Sequence, residues 1–303
     1  MANYILAHDL GTTGNKATLY DRDGQLINSS FYAYETEYAH TGWAEQNPED
    51  WWQAICVSTK QLLKQATVRG DDIACITFSG QMMGCVPLDK NARPLRKAII
   101  WADQRATVQE AWLRERVDAA ALYRITGHRL SASYSLPKML WLRDNQPDIY
   151  NETYKFVHAK DAMVARLTGN FVTDPSDASS MNLYDLLENR WSGEIMEAAG
   201  IDEAQLPEIR LSTDVVGAVL PEIAEEVGVA AGTPVVIGGG DGACAAAGAG
   251  VVTEGAAYNY VGSSSWIAIS TPEPIYDPEY RTFTFGHVVP GMVMPTGTMQ
   301  AAG

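Results

Sequence analysis

The chain opens on strand periodicity and then changes period. "YILAHD" (4–9) predicts a short strand, "KATLYD" (16–21) a second, and "QLINSSFYA" (25–33), alternating apolar and polar, a third, with "DRDG" (21–24) as a turn. In "NPEDWWQAICVSTKQLLKQA" the apolar positions Trp51, Ile55, Leu62 and Ala66 recur at helical spacing. Asn47 suits the N-cap of that helix, Pro48 its first turn, and Glu49 and Asp50 its positive dipole end. "IACITF" (73–78), "CVPL" (85–88) and "AIIW" (98–101) read as further strands, and "ADQRATVQEAWLRERV" starts another helix. The region 104–170 is mostly helical, including "LPKMLWLRDN" and "AKDAMVARLTG". "TPVVIGGGDG" is then a strand running into Asp241, followed by a small-residue helix, "ACAAAGAGVV". The class is α/β, a mixed sheet with flanking helices.

One pattern recurs. "YILAHDLGTTGNKATLY" and "AAYNYVGSSSWIAIS" (256–270) are both strand, Gly-hydroxyl turn, strand. Two such hairpins suggest two domains of one topology, residues 1–250 and 251–303. The second would then be entered only at its start, with "GTMQAAG" (297–303) as the beginning of a helix and the chain ending inside that domain.

With 303 residues, 46% hydrophobic and 19% charged, the chain has room for a sizeable core. Its 22 basic against 37 acidic residues give a net charge of −15, which argues against nucleic acid or an anionic membrane surface as a partner. An anion would have to be bound locally, by backbone N–H groups, a few cations or a metal. Cys56, Cys75, Cys85 and Cys244 form no C-x-x-C pair; two disulfides are one option, reduced core thiols in a cytoplasmic protein the one favoured. His8, His40, His128, His158 and His287 show no metal-ligand spacing and are expected to be surface or structural.

Three stretches could carry chemistry. In "DLGTTGNK" (9–16), a Gly-containing turn offers N–H groups to phosphate oxygens; Thr12 and Thr13 add hydroxyls, Lys16 a positive charge, and Asp9 a carboxylate suited to Mg²⁺. The plainer alternative is a hairpin turn in which Gly11 and Gly14 supply unusual φ angles. "GSSS" (262–265) repeats that chemistry, so two turns could grip a polyphosphate from opposite sides. In "VVIGGGDGACAAAGAG" (235–250) Asp241 is the one charged side chain, which leaves either a helix N-cap or a group kept to accept a proton. "SGQMMG" and "WADQR" follow apolar strands, where α/β proteins place ligand contacts. Gln81, Asp103 and Arg105 would bond hydroxyls, and Trp101 would present a flat face to a sugar. The competing picture has Trp101, Met82 and Met83 in the core and Arg105 in an exposed ion pair.

Taken in order, "DLGTTGNK", "GWAEQNPEDWW", "SGQMMG", "WADQR", "RLTGNFVTDPSDAS", "GGGDGACAAAG" and "GSSSW" resemble the signatures of the FGGY carbohydrate kinases, xylulokinases foremost, over essentially the whole chain. The resemblance implies an actin-like, ribonuclease H-like fold in two domains, with ATP and a sugar or polyol meeting between them and Mg²⁺ assisting. It implies Asp241 as catalytic base and Asp9 as the carboxylate organising Mg²⁺. Gly11, Thr12, Thr13, Gly14 and Lys16 fall on the first phosphate loop, and Gly262, Ser263 and Ser264 on the second. Met82 and Met83 fall on the substrate-contact pair, and Asp103 on the Asp after the Trp. Gly14 stands where a Ser is usual, and Met83 where xylulokinases usually carry His, which removes a polar sugar contact. The adenine-binding segment would lie after Gly303, and a homodimer is one assembly open to such a protein. Two rival readings are a nucleotide switch of the actin or chaperone type, in which sugar-facing loops would be superfluous, and a sugar-binding or degenerate remnant.

Overall fold

The structure, a computed structural model, describes residues 3–261 and 265–299. The meander predicted from the opening periodicity is present as β1 (Tyr4–Leu10), β2 (Gly14–Asp21) and β3 (Leu26–Ala33), each antiparallel to the next. Period-two alternation points Leu6, His8 and Leu10 of β1 and Asn15, Ala17 and Leu19 of β2 inward, towards helix α1 (Pro48–Ala66). That helix begins as the sequence indicates, with the Asn47 side chain accepting the Glu49 N–H and Pro48 in its first turn. Its Ser58 hydroxyl accepts from Asn15 Nδ2 at 2.8 Å and its Thr59 hydroxyl lies 3.3 Å from His8 Nε2, so the helix supplies partners to the buried polar pair on the sheet.

Strand β4 (Ile73–Gly80) joins β1 in parallel, the change of direction that a helical crossover permits. The helical middle includes α2 (Ser135–Asn145), α3 (Ala159–Thr168) and the single turn α4 (Pro175–Ala178). Then β5 (Val215–Ala218) and β6 (Pro234–Val236) complete the order β5-β6-β4-β1-β2-β3, with β7 (Gly239–Gly240) beside the end of β4 and helix α5 (Asp241–Gly248) following. The glycine run is thus two short strand pieces rather than one strand. At the break Gly238 takes φ +72°, and a Cβ there would stand 1.8 Å from the Phe78 carbonyl oxygen. A separate four-stranded antiparallel sheet, β8 (Ala257–Val261), β9 (Ser265–Ile269), β10 (Phe283–Gly286) and β11 (Val293–Met299), runs in the order β8-β9-β11-β10. The expectation of a helix from "GTMQAAG" is corrected at its start: Gly297–Met299 belong to β11, paired with β9.

Two of the apolar cores lie behind the main sheet and within the helical middle. A third joins Met82 to Ala243 and Ala246 of α5 and to Ala268, Phe285 and Met294 of the second sheet. Among the described residues no helix is long and apolar enough to cross a membrane. Cys56 and Cys85 are buried, Cys75 and Cys244 half-buried, and all four are free thiols. Four of the five histidines, His8, His128, His158 and His287, are buried, so only His40 keeps the surface place that the sequence allowed them.

Candidate active site

The alternation that buries Leu6 and Leu10 turns Asp9 to the other face of the sheet. There the strand register lines up Lys16, Asp9, Ser79 and Gly239 across four neighbouring strands. Ser79 Oγ donates to Asp9 Oδ1 at 3.0 Å. The row floors a crevice of about 520 Å³ whose walls include Thr18, Gly238 and Cys244. The next register row is Asn15, Leu10, Gly80 and Gly240, and Asp241 follows directly.

Asp241 is the first residue of α5 and not its N-cap, a place held by Gly240. One of its oxygens accepts the Gly242 N–H at 2.7 Å, and the carboxylate is reached by solvent. It nevertheless sits deep among protein atoms. That desolvation, with the charges of Asp177 and Asp9, lifts its pKa to about 7 against the pull of the Gly242 bond. A carboxylate poised near neutrality and open to solvent has the chemistry to accept a proton.

The 11–13 loop has its carbonyls drawn inward. Gly11 O accepts the Tyr34 hydroxyl at 2.5 Å, Thr12 O accepts Gln46 Nε2 at 2.7 Å, and Thr13 O accepts the Tyr34 N–H at 3.2 Å. Among the described residues the N–H groups of Thr12 and Thr13 meet no acceptor. A loop with carbonyls spent and amides free is a cradle for anionic oxygen. The idea that Gly11 and Gly14 supply positive φ is corrected, since neither has it. Gly14 is needed for space: a Cβ would meet Phe31 Cζ at 2.4 Å and Tyr32 O at 2.6 Å, which leaves no room for a Ser. The second turn, Gly262, Ser263 and Ser264, lies outside the described residues, although β8 and β9 flank it as an antiparallel hairpin.

Three of the expected sugar contacts are buried and bonded to other parts of the protein. Gln81 is buried, its amide nitrogen given to Gln46 Oε1 at 2.8 Å and Gly11 O at 3.4 Å, so it braces the 11–13 loop from behind. Asp103 is fully buried and accepts the Ala44 N–H at 2.6 Å and the Arg105 guanidinium at 2.7 Å. Arg105, expected as exposed if not a ligand contact, is buried between Asp103 and Glu45 with Trp43 stacked 3.6 Å from its guanidinium carbon. Asp103 and Arg105 hold the loop that carries Trp101. Trp101 itself is 46% exposed, which removes it from the core, and its indole N–H donates to Thr12 Oγ1. Met82 packs in the third core, its side chain filling the space a Gly240 Cβ would need, while Met83 is half-buried with φ +60°. That left-handed backbone is uncommon for Met and is held by Ser180 Oγ, which accepts the Met83 N–H, and by Lys138 Nζ, which donates to Met83 O.

The sequence reading missed Tyr34, Gln46 and Lys138. Gln46 falls within "GWAEQNPEDWW", and its position beside the N-cap Asn47 was the only local signal. Lys138 is fully buried, donating at 2.8 Å to Met83 O, 2.8 Å to Ile100 O and 2.5 Å to Ser133 O.

For a divalent ion, Asp9 fits: a hard oxygen donor, exposed, at the crevice floor, with the oxygen not bonded to Ser79 free to face it. Mg²⁺ commonly takes one or two carboxylates and completes its shell with water and phosphate. His158, Asp161 and Asp177 also converge closely enough for a metal, but the Lys160 ammonium stands among them, 2.6 Å from Asp161 and 3.1 Å from Asp177.

Residues 4–248 match the FGGY family of carbohydrate kinases, N-terminal domain. The chain belongs to that family. It is 36% identical over 300 residues to a xylulose kinase of Lactococcus lactis, covering 99% of this chain and 60% of the relative. It is 29% identical over 288 residues to a gluconokinase of Bacillus subtilis, covering 94% of this chain and 55% of that protein. The crystal structure of xylulose kinase from Rhodospirillum rubrum superposes with a TM-score of 0.93 at 26% identity, over 99% of this chain and 61% of that one. The chain therefore spans about 60% of the length of the FGGY kinases it resembles, and its fold is theirs, actin-like with a mixed sheet.

Proposed function

We propose that this protein transfers the γ-phosphoryl group of ATP to a hydroxyl of a sugar or polyol, a ketopentose such as xylulose being the leading acceptor. Asp241 takes the proton from the acceptor hydroxyl as the oxygen–phosphorus bond forms and ADP leaves with the electron pair of the broken bond. The amides of Thr12 and Thr13, the hydroxyls beside them and Lys16 hold phosphate oxygens, with Gly262, Ser263 and Ser264 as the second phosphate-contacting turn. Asp9 would hold Mg²⁺, which when bound offsets the negative charge gathering on the phosphates. Trp101, Met82 and Met83 would face the sugar, residues 251–303 would begin the nucleotide domain, and the enzyme would work in the cytoplasm.

One observation carries this reading: a single solvent-reached carboxylate, raised to about 7 and sensing the Asp9 charge, follows directly the strand piece paired beside Ser79, in the register that also bears Asp9 and Lys16. The acceptor rests on the xylulose kinase relatives, while gluconokinase similarity and the apolar Met83 in place of a polar contact keep gluconate as the second choice. The test is ADP release by the complete protein with ketopentoses, polyols and aldonates, each against an Asp241→Asn variant. Sugar-dependent ADP formation that the variant lowers supports the proposal. ATP hydrolysis indifferent to every acceptor would replace it with a nucleotide switch.

A further inference from the structure

The segment 174–180 of "RLTGNFVTDPSDAS" and its following serine has no part in the chemistry above, yet it is built almost wholly of buried polar side chains. Asp174, Ser176, Asp177, Ser179 and Ser180 are all fully buried. Each is engaged with a different part of the molecule. Ser176 Oγ accepts the Gly240 N–H at 2.9 Å and donates to Asp174 Oδ2 at 2.5 Å. Ser180 Oγ accepts the Met83 N–H at 3.1 Å, and Ser179 Oγ accepts the Gly286 N–H of the second sheet at 3.1 Å. At the centre the Lys160 ammonium lies 2.9 Å from Asp174 and 3.1 Å from Asp177. The other Asp177 oxygen lies 3.1 Å from His158 Nδ1; His158 Nε2 meets Ser135 Oγ at 2.8 Å, and Ser135 donates to Gly84 O at 2.6 Å.

Apolar residues of the same volume would fill this space at less desolvation cost, so the charges need another reason to be there. Besides Gly286 in the second sheet, the network reaches two places in or beside the candidate site: Gly240, directly before Asp241, and the 83–84 backbone, in the acceptor loop. We propose that segment 174–180, centred on Lys160, is a positioning element that sets the base and the acceptor loop in fixed relation, Ser176 holding the base and Ser180 the loop. The inference rests on the kinase reading for its catalytic meaning. Its division of labour between two serines is a property of the fold and can be tested apart from turnover. Both hydroxyls reach their targets through one backbone N–H each, so removing either frees one end while the ion cluster stays.

In the complete protein, Ser176→Ala lowers kcat about 10- to 100-fold and leaves the acceptor KM within about 3-fold, because a base misplaced by a fraction of an ångström still binds sugar. Ser180→Ala raises the acceptor KM about 10-fold with kcat within about 3-fold. Amide hydrogen exchange gives a second readout: Ser176→Ala speeds exchange at Gly240 and not at Met83, Ser180→Ala the reverse, and Lys160→Met speeds both. Should no acceptor elicit ADP release from the parent protein, the kinase reading fails and the exchange pair alone decides the holding roles. Serine variants that change both amides alike, or neither, or that change kcat and KM together, overturn the proposal.

Discussion

The indole N–H of Trp101 donates to the Thr12 hydroxyl at 2.9 Å, which joins the loop that would face a sugar to the loop that would face phosphate. The two stretches are 89 residues apart in sequence and meet through this hydrogen bond. Trp101→Phe keeps an aromatic face and removes the donor. A neutral hydrogen bond is worth about 1 kcal/mol, so KM for both acceptor and ATP should rise by roughly 5-fold. Initial rates with each substrate varied in turn check this, and a change in one KM alone would show that the loops are independent.

The raised pKa of Asp241 sets the pH dependence. A base must be ionised, so kcat/KM should fall about tenfold per pH unit below about 7. Asp241→Asn should lower kcat by about 10²–10⁴ and abolish that limb. The sign for stability runs the other way. The folded-state pKa of about 7 lies above the ordinary 3.8, so this carboxyl favours the folded state fully only below about pH 4 and loses that contribution as pH rises through about 7. Asp241→Asn should therefore melt higher than the parent above pH 7 and by a shrinking margin towards pH 4. A Tm gap that does not change with pH would count against the shift.

Asp9 and Asp241 are electrostatically joined, since the Asp9 charge contributes to holding the Asp241 proton. Asp9→Asn should move the acid limb of the pH profile to lower pH while raising the Mg²⁺ concentration needed for half-maximal rate. Profiles taken at saturating Mg²⁺ separate the two effects. A limb that stays in place would mean the carboxylates do not sense one another.

What could be read from the chain and what could not divide along sequence distance. The Asn47 cap, the meander and the amphipathic α1 are local, set by residues within one turn or one strand of each other, and period and capping chemistry reveal them. The polar residues expected at the sugar find their partners far away in sequence. Gln81 is claimed by Gln46, 35 residues earlier, and Asp103 by Ala44, 59 residues earlier. A polar residue after a strand looks the same locally whether it meets a ligand or a buried amide. At Gly297–Met299, the start of "GTMQAAG", pairing of Trp266 with Thr298 and of Ser265 with Met299 makes strand, a long-range partnership that nothing local in the segment announces. Ser176 was visible only as part of a motif and Ser180 only as the residue after it, because their partners lie 64 and 97 residues away.

The glycine run offers the most discriminating test of how the site is packed. Gly238 and Gly240 are two residues apart and resist a side chain for different reasons. At Gly238, φ is +72° and a Cβ meets the Phe78 backbone at 1.8 Å, so neither conformation nor neighbour can yield. Gly238→Ala should cost about 3–5 kcal/mol, read as a lower urea midpoint. At Gly240, φ is −61°, which any residue accepts, and the obstacle is the Met82 side chain, 2.7 Å from the Cβ position at Cγ and Sδ. Met82 is flexible and can swing aside, so Gly240→Ala should cost about 1–3 kcal/mol and shift the acceptor KM more than stability. Met82→Ala combined with Gly240→Ala should then cost less than the sum of the two, by about 0.5–3 kcal/mol, because the first change clears room for the second. Strict additivity in that cycle would mean that Met82 is not what fills the space above Gly240.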